Sequence, residues 1–335
     1  MAEPEFSRAP AAHIAEGSPI AEPVRGGHPD PGLLALPGLE QLRRYVAGDV
    51  PEAPLSRLTG MRLVSVGEGR ATFRMPLTPW LDAGRGTVSP GVLMIPADAA
   101  MACAVMSQLA AWKPFTTSEL ALRVLRPLPP AGAILAESRV LDPGPPVALS
   151  EVTLRDEAGV LIAHGSSLCV ALPAVSPHAP AVPLQPWREP SGSDTPDPWQ
   201  RPLTGLPGIQ PALHRFTSLA VKAAQDGSAT LTLPASAWFA APPPGRVQGG
   251  IVAVLADATI SSAAGTTILA GTEFTPIELK LNLLRPLVTD GRPARADARV
   301  VHAGRRIAVA TAEVTDADGR TIAIASGSGL VGTRT

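Results

Sequence analysis

The strongest constraint on this chain is that most of it is written twice. The run Glu68–Leu81 (EGRATFRMPLTPWL) returns as Asp226–Phe239 (DGSATLTLPASAWF), an offset of 158 (226 minus 68), with glycine, Ala-Thr, proline and tryptophan in matching places. GVLMIPADAA from Gly91 pairs with GIVAVLADAT from Gly250, and ELALRVLRPL from Glu119 with ELKLNLLRPL from Glu278. The echo continues through Asp156–Gly159 against Asp316–Gly319. A repeat this long is a whole domain and not a solenoid unit. Two copies in one chain read as a fused homodimer, whose interface is the natural place for a shared site.

Two domains also suit 335 residues, since each half can bury a core of its own. A net charge of -1 with scattered arginines argues against nucleic acid as a partner. No apolar run reaches the roughly 18 residues of a membrane span, and no signal pattern opens the chain. The expectation is a soluble cytoplasmic protein. Cys103 and Cys169 lie in apolar segments without CxxC spacing, so they read as buried free thiols and not as a disulfide or metal site. The six histidines lack metal-ligand spacing, and neither a GxSxG elbow nor a Walker loop is present. Neither a metal nor another cofactor is expected.

Residues 1–35 are rich in Pro, Ala, Gly and Glu without periodicity and read as a mobile tail. A short helix is expected over Leu39–Val46, stopped at Gly48, opening a first domain over 36–173. Residues 174–204, with Pro177, Pro180, Pro183, Pro186 and Pro190, read as a semi-rigid linker to a second domain over 205–335. Each half then runs in one order. A strand (Ala71–Met75; Ala229–Leu233) leads to a helix apolar on nearly every face (Gly91–Ala111; Gly250–Ala264), and four further strands follow. One buried helix wrapped by an antiparallel sheet is an α+β layout.

The segment Val247-Gln-Gly-Gly-Ile-Val-Ala-Val-Leu-Ala-Asp257 resembles the HGG(x)nD signature of hotdog-fold acyl-CoA thioesterases, the superfamily of the phenylacetate-pathway and 4-hydroxybenzoyl-CoA enzymes. The LRPL segments are similar to that family's strand after the helix. The resemblance implies a curved five-stranded sheet around each helix and, for the fused pair, a ten-stranded double hotdog. It further implies an acyl or aromatic acyl-CoA thioester as substrate, with coenzyme A entering only as part of it. A tunnel would then pass between the halves, along the start of the Gly249 helix and Asp98.

Thioester hydrolysis needs a donor where negative charge develops, and a backbone N–H at a helix N-terminus supplies one. A carboxylate two turns along can activate water or attack the carbonyl, and burial raises its pKa toward the working pH. In the family the donor and the carboxylate of one site come from different subunits, so the halves are to be cross-paired. One combination offers Gly249 as donor, Asp98 as base and Thr117 as a water-orienting hydroxyl, with Gln248 and Gly250 against the substrate. The reciprocal combination has Asp257 and Gly91, but Pro90 has no N–H and Pro276 stands where Thr117 does, so this second site reads as degenerate. The signature histidine is Gln248 in one half and Ser89 in the other, and Pro96 precedes Asp98 inside its helix. A structural alternative stays open for both aspartates, as helix charges or hydrogen-bonded core groups.

Arg126 and Arg285, at strand ends, are readable as phosphate contacts for coenzyme A or, more commonly, as solvated charges. Gly327–Gly332 matches GxGxxG in letters but opens no helix, and Trp80 and Trp238 recur as packing residues. A non-catalytic acyl-CoA-binding or scaffold protein is the rival reading, and a hotdog hydratase the third. The sequence leaves open the acyl preference and whether such chains form a homo-oligomer.

Overall fold

The computed structural model describes residues 12–84, 86–174, 195–205, 210–269 and 271–332. In the first half the elements are α1 (Gly38–Ala47), α2 (Pro54–Thr59), β1 (Arg62–Gly67), β2 (Arg70–Pro76), α3 (Pro90–Met106), β3 (Phe115–Val124), β4 (Ala133–Asp142), β5 (Val147–Asp156) and β6 (Leu161–Ala171). The second half gives α4 (Ala212–Thr217), β7 (Ala220–Gln225), β8 (Ser228–Pro234), α5 (Gly249–Gly265), β9 (Glu273–Leu283), β10 (Pro293–Ala303), β11 (Ile307–Thr315) and β12 (Thr321–Gly332). Apart from α1, each element of one half has its counterpart in the other.

All strands join one antiparallel sheet in the order β1-β2-β4-β5-β6-β3-β9-β12-β11-β10-β8-β7. The expected α+β layout with an antiparallel sheet is present, but with six strands from each half where five were expected. The additional strands β1 and β7 lie at the two edges and contain no buried residue, so they lack the alternation that marks a half-buried strand. The halves meet at β3 and β9, whose register pairs Glu119 with Asn282, Ala121 with Lys280 and Arg123 with Glu278. Lys280 is the sequence copy of Ala121, so the pairing is centred on equivalent residues and a pseudo-twofold axis passes between them. Ion pairs Lys280–Glu119 (2.8 Å) and Arg123–Glu278 (3.2 Å) flank that centre.

Helices α3 and α5 supply the middle of the core. Both are apolar around their whole circumference, which suits a helix covered by sheet on one side and by its twin on the other. Pro96 withholds one helical N–H, yet α3 runs unbroken across it. Their N-terminal halves cross in close contact. A Cβ on Gly91 would stand 2.8 Å from Val254 Cα, and one on Gly250 would stand 2.6 Å from Ile95 Cα, so glycine is required at both crossings.

The expectation of a mobile tail over 1–35 is corrected from residue 12 onward; residues 1–11 lie outside the described chain. Ile20 and Leu33 are buried, and the segment is fixed by specific bonds. The Ala15 N–H donates to Ser218 Oγ at 3.0 Å, and Trp238 Nε1 donates to the Glu22 carbonyl at 3.0 Å. Scattered apolar anchors and bonds to distant partners hold it, with no periodic pattern to register in the sequence. Of the linker expected over 174–204, residues 175–194 lie outside the described chain. At its far end the Arg201 carbonyl accepts from Trp80 Nε1 at 2.9 Å, and the Arg201 guanidinium pairs with Glu22. The twin tryptophans are buried packing residues whose indole N–H groups are held by these two flanking segments. Among the described residues, no helix is long and apolar enough to cross a membrane.

Candidate active site at the crossing of the two helices

Neither buried helix caps its own N-terminus. Gln248 precedes α5 and Ser89 precedes α3, both in extended conformation, and neither side chain accepts a hydrogen bond from its own first turn. The first N–H groups of a helix need partners from elsewhere. Each helix finds them on the other. Gly250 N–H donates to Asp98 Oδ2 at 3.2 Å, and Gly91 N–H donates to Asp257 Oδ2 at 3.0 Å. Each carboxylate sits two turns into one helix and at the positive end of the other, where the dipole favours negative charge.

The two pairings differ in detail. Around Asp98 stand the N–H groups of both Gly249 and Gly250, and Thr117 Oγ1 lies 3.5 Å from Asp98 Oδ1. A Cβ on Gly249 would fall 3.0 Å from Asp98 Oδ2 and 3.0 Å from Leu283 Cδ1, so this glycine opens the backbone toward the carboxylate. Around Asp257 stand the Gly91 N–H and the Ser89 hydroxyl. Pro90 offers no N–H at the position equivalent to Gly249, and Pro276 offers no hydroxyl at that of Thr117. Proline at the former position does not leave the second carboxylate without a backbone donor, because the next residue, Gly91, supplies one. The Ser89 contact was not foreseen, although a serine before a helix-opening proline is a recognised start signal.

Burial pushes the carboxyl pKa of both Asp98 and Asp257 up to about 6, against a smaller opposing effect of their hydrogen bonds. The folded state therefore keeps these protons at pH values where the unfolded chain, near 3.8, has shed them. Stability contributed by the pair falls as pH rises from about 4 to about 6, by roughly 3 kcal/mol per carboxylate at most, and is level above that window. In urea denaturation, the wild-type chain should lose stability relative to an Asp98→Asn/Asp257→Asn double variant across this window. Parallel pH profiles of the two proteins would contradict the shift.

The other expected site residues are placed as follows. Gln248 Nε2 donates to the Ile95 carbonyl at 2.9 Å, one turn before Asp98, so the residue in the signature histidine's place ties the two helices together. Its Oε1 is buried without a partner among the described residues. Arg126 Nη1 donates to the Leu161 carbonyl at 2.6 Å and Arg285 Nη1 to the Thr321 carbonyl at 2.8 Å. Both are exposed at strand ends and spend donors on a neighbouring strand. Cys169, which the sequence marks only as a buried thiol, faces Thr117 across the β3–β6 pair, with Sγ 3.9 Å from Thr117 Oγ1.

The helix start along which a tunnel is expected is only half-buried, since Gln248, Gly249 and Thr117 all retain some exposure. Deeper in, side chains meet the Gly249 backbone, Leu120 is fully buried, and Asp98 is 6% exposed. An open groove of about 610 Å³ lies elsewhere, at the β10–β11 turn of the second half, lined by His302, Gly304, Arg305, Arg306 and Ile307. A carbonyl that takes up the helix N–H at this position takes it from the Asp98 carboxylate.

Two segments of the chain, residues 85–163 and 244–323, match the model of the thioesterase superfamily. They span both helices, both carboxylates and the strands that follow. No curated protein matches the chain in sequence. Among solved structures, the chain is similar to the tesB protein of Mycobacterium avium subsp. paratuberculosis, at 14% identity and a TM-score of 0.55, covering 83% of this chain and 98% of that one. It is likewise similar to acyl-CoA thioesterase II TesB2 of Mycobacterium marinum, at 13% identity and a TM-score of 0.52, covering 84% of this chain and 99% of that one. At these identities the likeness is one of fold.

Proposed function

We propose that this chain, both halves of which match the thioesterase superfamily model, is a double hotdog that hydrolyses an acyl-CoA thioester to the free acid and coenzyme A. The two units are residues 36–173 and 205–335. One observation carries the reading. Asp98 of the first half is buried against the Gly249 and Gly250 N–H groups of the second, with the Thr117 hydroxyl on its other oxygen.

In this reading the ionised Asp98 takes a proton from water as the oxygen attacks the thioester carbon. The carbonyl oxygen gains negative charge and accepts from the helix N–H groups that Asp98 releases when the substrate enters. Collapse of the intermediate breaks the C–S bond, and the proton on Asp98 passes to the leaving sulfur. Thr117 orients the carboxylate, and Gln248 fixes the start of α5 against α3. Arg126 and Arg285 take the phosphates of coenzyme A by rotating off their carbonyl partners. Asp257 and Gly91 serve as the reciprocal helix cap.

Incubation with aliphatic and aromatic acyl-CoAs, with free thiol followed by a reporter dye, tests the activity directly. Release of coenzyme A should occur, with kcat/KM rising along a single ionisation near pH 6 and levelling above it, as required if Asp98 acts in its charged form. The capping of each helix by the other's carboxylate favours a second reading, in which the carboxylates are only caps and the protein binds acyl-CoA without cleaving it. Binding without any release of thiol across the panel would establish that reading and overturn the first.

A further inference from the structure

Asp98 is reached by a line of three hydrogen-bonding side chains that has no counterpart beside Asp257. Thr117 Oγ1 lies 3.5 Å from Asp98 Oδ1, Cys169 Sγ lies 3.9 Å from Thr117 Oγ1, and Ser167 Oγ lies 3.7 Å from Cys169 Sγ. The order of protons follows from their number. The single hydroxyl proton of Thr117 goes to the carboxylate, so Thr117 can only accept from the Cys169 S–H. The sulfur then accepts from Ser167. Cys169 and Ser167 are both 1% exposed, so no water competes for these positions.

Strand register shows what the other half has in their place. β3 pairs Thr117 with Cys169 and Leu120 with Ser167, whereas β9 pairs Pro276 with Gly329 and Leu279 with Gly327. All three hydrogen-bonding side chains are replaced by residues with none to offer. A Cβ on Gly329 would stand 2.4 Å from the Phe274 ring, so that ring occupies the place of the thiol.

We propose that Cys169 is a positioning residue for hydrolysis at Asp98, holding the Thr117 hydroxyl toward the carboxylate through an ordered Ser167–Cys169–Thr117 line. The inference rests on the proposed thioesterase activity for its catalytic consequence. The thiol itself is no nucleophile, since burial pushes its pKa up to about 11. Its S–H instead keeps the one hydroxyl that faces Asp98 from rotating away. The groups bearing on Asp98 are the Gly249 and Gly250 N–H from α5, Thr117 from β3, Cys169 from β6 and the Cys103 thiol of its own helix, with Tyr45 of α1 beyond Cys103.

The test follows the Asp98 carboxyl by ¹³C NMR in full-length protein labelled at aspartate, a readout that needs no turnover. Cys169→Val fills the site without a donor and should raise the Asp98 pKa by about half a unit, as expected for one weak S–H donor. Ser167→Ala should shift it the same way by less, and Cys169→Ser should return it to the wild-type value or below. The Asp257 resonance in the same spectra should stay fixed. In hydrolysis, Cys169→Val should cost about threefold in kcat/KM at pH 5.5 and almost nothing at pH 8. An unmoved Asp98 resonance in Cys169→Val, or equal shifts in the Val and Ser variants, would overturn the proposal. If no acyl-CoA is cleaved, the thioesterase reading fails, and the titration still decides whether the line orients Asp98.

Discussion

Replacing Gly250 by alanine is expected to destabilise the protein by about 3 kcal/mol or more, although alanine is the better helix former by about 1 kcal/mol. The reason is the crossing of α3 and α5. A Cβ at this position would stand 2.6 Å from Ile95 Cα and 2.8 Å from Ile95 N, and backbone cannot step aside as a flexible side chain can. Gly91→Ala meets the same obstacle on the other side of the axis, at 2.8 Å from Val254 Cα and 2.9 Å from the Ala253 carbonyl oxygen. Gly249→Ala is the informative contrast. Its nearest contacts are Asp98 Oδ2 and the Leu283 methyl, side-chain ends that can give, so its cost should be about 1 kcal/mol. Urea denaturation of the three variants should rank Gly250 and Gly91 together and well above Gly249. Stabilisation of all three, as helix propensity alone requires, would refute the close crossing.

Much of this architecture was legible because duplication lets one half proofread the other. The offset between Gly91 and Gly250 also relates Asp98 to Asp257, and cross-pairing the halves by sequence alone places Asp98 at the Gly249 helix. What was not legible has physical reasons. β1 and β7 are exposed edge strands, so their sequences carry no alternation. The segment from residue 12 to 35 is held by Ile20, Leu33 and backbone bonds to distant partners, none of which has a local signature. The close crossing has no sequence signal because a glycine that admits a substrate and a glycine that admits another helix look the same in sequence; Gly250 admits Ile95. Cys169 is legible only as a buried thiol, because its position opposite Thr117 exists only once β3 and β6 are paired.

The asymmetry of the two carboxylates carries the functional account. Both are buried, both accept from a helix-opening glycine and both have pKa values pushed up to about 6, so neither burial nor ionisation tells them apart. The difference lies in what surrounds them. Asp98 has Gly249, Gly250 and Thr117, while the equivalents on the Asp257 side are Pro90, Gly91 and Pro276. Asparagine keeps an oxygen that can accept the helix N–H, so it separates the chemistry of the carboxylate from its capping role. The most direct measurement is kcat/KM for Asp98→Asn and Asp257→Asn, side by side on the best acyl-CoA, with folding of each verified by circular dichroism. The account predicts a loss of about 10² to 10⁴ for Asp98→Asn, as for removal of a general base, and a change within about threefold for Asp257→Asn. Equal losses in the two variants, or a loss confined to Asp257→Asn, would contradict it.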